Sequence, residues 1–81
     1  MEKQKIFILI SREDTTILPV FATKSIEEAK EMLRENVNMA KGIIKENSED
    51  EIISWITDDE LTATVESLGS TYEFEIQEVE V

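Results

Sequence analysis

The side chains best suited to chemistry in this chain are nineteen carboxylates, eight lysines and arginines, and six serines; histidine and cysteine are absent. That absence removes the commonest general base, thiolate nucleophiles, disulfides and the usual zinc ligand sets together. A serine nucleophile would need a lysine base, yet every lysine lies between Lys3 and Lys45 with no catalytic motif around it. With only Gly42 and Gly69 in the chain, a glycine-rich phosphate loop is excluded. Carboxylates adjoin at Glu49-Asp50-Glu51 and Asp58-Asp59-Glu60, but the spacing and glycine of a calcium loop are missing. Adjacent turn acids without a perturbing environment are normally just solvated. The expectation is a protein that is not an enzyme and holds no cofactor or metal.

What the charges can do is attract. The net charge of −11 is unevenly placed. Residues 1–47 hold all eight basic residues and eight acids, so they are neutral; residues 48–81 hold eleven acids and no base. Such a field disfavours direct contact with nucleic acid or an anionic membrane and speeds encounter with a basic partner. Acidity that only keeps a small protein soluble is the competing explanation, although solubility does not require every counter-charge to be missing from one half.

The elements that must position these charges are legible in part. Eighty-one residues suit one domain, 1–81, with one core. Ser25 and Glu28 have the spacing of a capping box. From there to Asn47, Ile26, Ala29, Leu33, Val37, Ala40 and Ile44 recur every three or four residues, the stripe of a core-packed helix. Met32, Met39 and Ile43 widen that stripe. Lys5 to Arg12, with Ile6-Phe7-Ile8-Leu9-Ile10, predicts a strand that is central or covered on both faces. Those five apolar residues are too few for a membrane span or a signal-peptide core, so a cytoplasmic address is expected. Ile17 to Thr23 predicts a second strand, at an edge or bulged at Pro19.

Residues 49–81 allow two readings. Thr57 and Glu60 repeat the capping-box spacing before Leu61, Val65 and Leu68, which would make a short helix. Against this, Leu61, Ala63 and Val65 alternate with Thr62, Thr64 and Glu66, and that pattern, with its threonines, favours a hairpin. Tyr72, Phe74 and Ile76 alternate with Glu73, Glu75 and Gln77 as a strand with one wet face. Val79 and Val81 break that register, so a bulge near Gln77-Glu78 is expected to return them to the core. The fold class is α+β: strand-strand-helix-strand-strand-strand, one mixed or antiparallel sheet with a single long helix on one face.

Pairing Val65 with Phe74 and Ala63 with Ile76 would set Glu66 opposite Glu73 and Thr64 opposite Glu75, all facing away from the helix. Opposed carboxylates are mildly destabilising, so drift or a need for negative charge would be required to keep them. Trp55 depends on the hairpin loop. A two-residue turn on Asp58-Asp59 leaves Ile53 and Trp55 on the acidic outer face; a three-residue loop of Asp58-Asp59-Glu60 turns Trp55 inward. Large aromatics are highly buried on average, which favours the core. Placed outside, Trp55 with Ile53 becomes an interface anchor.

The leading functional expectation is an interaction protein that docks on a basic protein surface through Ile53, Trp55, Asp58, Asp59, Glu60, Glu66, Glu73 and Glu75. In a sharper form that surface belongs to a nucleic-acid-binding protein. Outward carboxylates about 6.8 Å apart along a strand, with the next strand about 4.8 Å away, approach the charge density of one DNA strand. Two alternatives stand beside it. One is a small-ligand-binding or sequestering homo-oligomer with a pocket between helix and sheet or at a subunit junction, and the other is a structural accessory protein.

The segments Glu27-Glu28-Ala29-Lys30, Trp55 and Tyr72 to Val79 follow one another as helix, hairpin and terminal strand. In this the chain resembles the many short, acidic, uncharacterised proteins of bacteria and their phages. The resemblance implies a phage or mobile-element origin and, for some proteins of that type, inhibition of a host nuclease; it transfers no functional residue.

Overall fold

The computed structural model describes residues 4–18, 20–47 and 51–80. Its one described helix, α1 (Ile26–Asn47), begins where the capping spacing places it. Glu28 N donates to Ser25 Oγ at 3.2 Å, while Ser25 N donates to Thr23 Oγ1 at 3.2 Å, so Thr23 takes the part expected of the Glu28 side chain. Glu27 and Glu28 in the first turn and Lys45 in the last complement the helix dipole. No described helix is long and apolar enough to cross a membrane.

Six strands form one antiparallel sheet: β1 (Lys5–Glu13), β2 (Thr16–Ile17), β3 (Phe21–Thr23), β4 (Ile53–Ile56), β5 (Thr62–Glu66) and β6 (Thr71–Glu80). The order is β2-β1-β6-β5-β4, with β3 also pairing with β1. This is the α+β fold the sequence predicts, with one difference early in the chain. The expected second strand is two short ones, β2 and β3, on the edge of the sheet beside β1. Pro19, between them, lies outside the described residues. Asp14, in the tight link from β1 to β2, has φ 54, a left-handed conformation aspartate tolerates. It is tied to β6 through Asp14 N to Thr71 O at 2.7 Å and Thr71 N to Asp14 Oδ1 at 3.0 Å.

Ala29, Leu33, Val37, Ala40 and Ile44 are buried against Leu9, Ala63, Val65, Tyr72, Phe74 and Ile76 of the sheet. Met39, 63 % exposed, lies outside the stripe it was expected to widen, as does the exposed Ile43. Residues 57–68 form no helix; the hairpin reading holds. The bulge near Gln77-Glu78 is absent, because β6 pairs with β1 without interruption from Glu13↔Tyr72 to Lys5↔Glu80. Val79 therefore stays on the side away from the helix, opposite Ile6, and Glu78 turns to the helix side, where Lys5 Nζ lies 3.6 Å from its Oε1. Val81 lies outside the described residues.

Two outcomes follow. Leu33 is fully buried, so Leu33→Ala should lower unfolding free energy by roughly 2–5 kcal/mol in urea titration. Tyr72 is buried and its hydroxyl donates to Glu13 Oε1 at 3.0 Å; burial first, then that hydrogen bond and the nearby carboxylate charge, raise the phenol above its ordinary pKa of 10.0. The unfolded chain thus loses this proton at lower pH than the folded one. Stability should be intact below pH 10 and fall as pH rises through the folded value; alkaline unfolding scans on Tyr72→Phe should show a flatter decline.

Candidate interaction face

Strand parity builds the face. Ala63, Val65, Tyr72, Phe74, Ile76 and Leu9 are buried under α1, so the residues between them point to the opposite side. That outer side carries Ile53 and Trp55 from β4, Thr62, Thr64 and Glu66 from β5, and Glu73, Glu75, Gln77 and Val79 from β6. From β1 it carries Ile6, Ile8, Ile10 and Arg12. Among the described residues, no second layer covers it.

Trp55 is 50 % exposed and Ile53 53 %, which overturns the core placement favoured by general burial tendencies. The cause is the loop. Thr57 and Thr62 close it, with Thr57 N donating to Thr62 O at 3.0 Å, so four residues, Asp58 to Leu61, form the connection in place of two or three. Four has the parity of two, and Trp55 falls opposite Thr64 on the outer side. The loop is organised by side chains: Thr57 Oγ1 donates to Asp59 Oδ1 at 2.7 Å and Leu61 N donates to the same oxygen at 3.0 Å. Glu60 takes a left-handed φ of 58.

The register of β5 on β6 also differs from the expectation. Val65 meets Tyr72 and Ala63 meets Phe74, a shift of two residues that keeps every side chain on its expected face. Glu66 then stands opposite Thr71, Glu73 opposite Thr64 and Glu75 opposite Thr62, so no carboxylates oppose each other on these strands. Across the other edge of β6, Glu73 is the partner of Arg12 and Glu75 of Ile10. Ile10, Arg12, Thr64, Glu73 and Glu75 border a shallow hollow of about 180 Å³.

The eight expected interface residues are therefore divided. Ile53, Trp55, Glu66, Glu73 and Glu75 share the outer face; Asp58, Asp59 and Glu60 sit at the hairpin tip beyond it. Glu60 turns toward the helix and pairs with Arg34. Glu78 is likewise on the helix side, with Lys5. The acids of the second half thus spread over two sides of the molecule, contrary to a single acidic face. Glu49 and Asp50 lie outside the described residues. Among the described residues, Glu66 and Glu73 take part in no ion pair.

Sequence reasoning missed two parts of this surface. Ile6, Ile8 and Ile10 form an apolar band beside the acids, although the unbroken apolar run of β1 signals a strand needing cover on both faces. Leu68, 92 % exposed, caps the β5–β6 turn, where Ser67 N donates to Ser70 O at 2.8 Å, and borders a shallow site with Glu51, Ile53 and Glu66. On the helix side, Phe7, Ile26, Leu61 and Ile76 line a cleft of about 550 Å³, with Lys5, Lys30, Asp59 and Glu78 at its mouth.

The hydrogen bond from Thr57, then that from the Leu61 amide, holds the Asp59 carboxyl below its ordinary pKa of 3.8. A depressed folded value contributes stability above the unfolded pKa that is lost as pH falls through the folded one. Thr57→Val should move the Asp59 titration up toward the ordinary value in carboxyl-carbon NMR. Comparison of the chain with protein-family models, curated proteins and solved structures finds no match.

Proposed function

We propose that this protein is a small interaction module whose outer sheet face docks on a protein surface that is both basic and apolar. The observation that supports it most is the exposure of Trp55 and Ile53 on the same uncovered face as Glu66, Glu73 and Glu75. Tryptophan is enriched among residues that dominate binding energy, and the β1 isoleucines add apolar area to the acids. Charge brings the partner in, and apolar burial then holds it. A partner that normally binds nucleic acid fits the negative charge. The rows of paired carboxylates that a close phosphate mimic needs are not formed, since threonine, isoleucine and arginine interleave with the glutamates.

A second reading rests on the helix-side cleft, whose apolar floor and doubly charged mouth suit a small ligand with an apolar body and a charged end. It predicts saturable binding that raises the melting temperature and leaves Trp55 emission unchanged.

The leading reading is tested by affinity capture with two variants of equal charge change. Glu66, Glu73 and Glu75 to lysine should abolish partner capture; Glu27, Glu31 and Glu35 to lysine, on the exposed side of α1, should retain it. Equal loss from both variants would reduce the acidity to a non-specific effect, and capture unchanged by the first would remove the reading.

A further inference from the structure

Strand β4 is the outermost strand on its side of the sheet: β5 pairs with one edge, and no described strand pairs with the other. One hydrogen bond tells which backbone groups face that free edge. Thr57 N donates to Thr62 O, making these two a hydrogen-bonded pair, and such pairs alternate along an antiparallel ladder. Trp55–Thr64 and Ile53–Glu66 are then the next hydrogen-bonded pairs. The N–H and C=O groups of Ser54 and Ile56 consequently point away from β5.

Sheet edges are normally blunted by a lysine, a proline, a bulge or a covering element. Ile53-Ser54-Trp55-Ile56 has no charge and no proline, and its pairing with β5 is regular. The surroundings set what can be added. On the helix side, Lys41, Lys45 and Asn38 border a cleft of about 430 Å³ with Ile52 and Ser54. On the outer side stand Ile53 and Trp55. At the two ends are the exposed Glu51 and Asp58. A second copy of the chain fits poorly, because antiparallel pairing through the outward-facing groups of Ser54 and Ile56 puts both helices on one side of the joined sheet and sets Lys41 and Lys45 of each copy toward those of the other, with like charges opposed.

We propose that the free edge of β4 takes an extended segment of a partner protein as an added strand. Its helix-facing side chains carry carboxylates toward Lys41 and Lys45, its alternate side chains are apolar against Ile53 and Trp55, and its ends are basic. Main-chain hydrogen bonds to Ser54 and Ile56 supply affinity, and the alternating side chains supply specificity. The proposal goes beyond the face described above, since it does not require Glu66, Glu73 or Glu75.

The probe is a synthetic peptide of about ten residues, valine and glutamate alternating between lysine pairs, with a control in which lysine replaces glutamate. Amide exchange is followed by NMR on the full chain. The first peptide should slow exchange at Ser54 and Ile56 by about tenfold or more and shift Trp55 emission to shorter wavelength, and the control should bind at least about tenfold more weakly. Ser54→Pro removes an edge-facing donor without touching the ladder to β5; it should weaken peptide binding, whereas Ser54→Ala should not. Unchanged exchange at both amides in the wild-type protein overturns the proposal whether or not the proline variant folds, as does equal affinity for the two peptides. Protection that grows with protein concentration in the absence of peptide makes a second copy the occupant and also overturns it. If the glutamate-to-lysine variant at 66, 73 and 75 loses its partner while the peptide gives no protection, this inference alone falls.

Discussion

The antiparallel ladder between β1 and β6 joins the two ends of the chain, from Lys5↔Glu80 to Glu13↔Tyr72. Closing so long a loop carries a conformational cost that no single contact offsets, so the ladder, its buried side chains and α1 must form as one cooperative unit. The ladder also fixes the sides of the sheet: once Leu9 and Ile76 pair under the helix, the position of every neighbour on β1, β5, β6 and β4 follows by alternation. Phe74 and Tyr72 then enter the same core as Leu33 and Val37, while Ile8, Glu73 and Glu75 face away.

The same ladder changes the meaning of the charge pattern. Read linearly, the second half is acidic and without cations. Folding inserts β1, from the neutral half, directly beside the acidic β6, which brings Arg12 opposite Glu73 and Lys5 near Glu78, while α1 brings Arg34 to Glu60. The Lys5–Glu78 and Arg34–Glu60 pairs are exposed and each contributes little to stability. Their effect is on the field: the excess negative charge is divided between the outer face and the hairpin tip, and the acidic part of the outer face is narrow, bordered by isoleucines on one side and by Trp55 on the other.

Local patterns made the helix and the last strand readable. Ser25, the three-to-four spacing through Ile44, and the alternation from Tyr72 to Ile76 each specify an element from its own residues. What the sequence did not disclose depends on pairing. The four-residue loop that exposes Trp55 uses ordinary turn bonds, Glu60 N to Thr57 O and Leu61 N to Asp59 Oδ1, but Asp58-Asp59-Glu60 suits loops of two, three or four residues alike, so its length is not legible from its residues. The register of β5 on β6 is a choice among positions of equal parity, which hydrophobic alternation cannot separate. Val79 needs no bulge to find an apolar neighbour, because its partner Ile6 makes the outer side apolar in part, a feature that alternation within β6 alone does not carry. Ile6, Ile8 and Ile10 were visible as an apolar run, but only the topology shows that one of their two sides lacks cover.

A sheet with a helix on one side and exposed apolar residues on the other is the physical basis of the account, and the lone tryptophan reports on it directly. The decisive measurement is the emission of Trp55 in the free, folded protein with and without acrylamide. An indole on the open side should emit at long wavelength and be quenched almost as readily as in an unfolded chain. Emission at short wavelength, resistant to the quencher in a monomer, would place Trp55 in the core and contradict the outer face as built here.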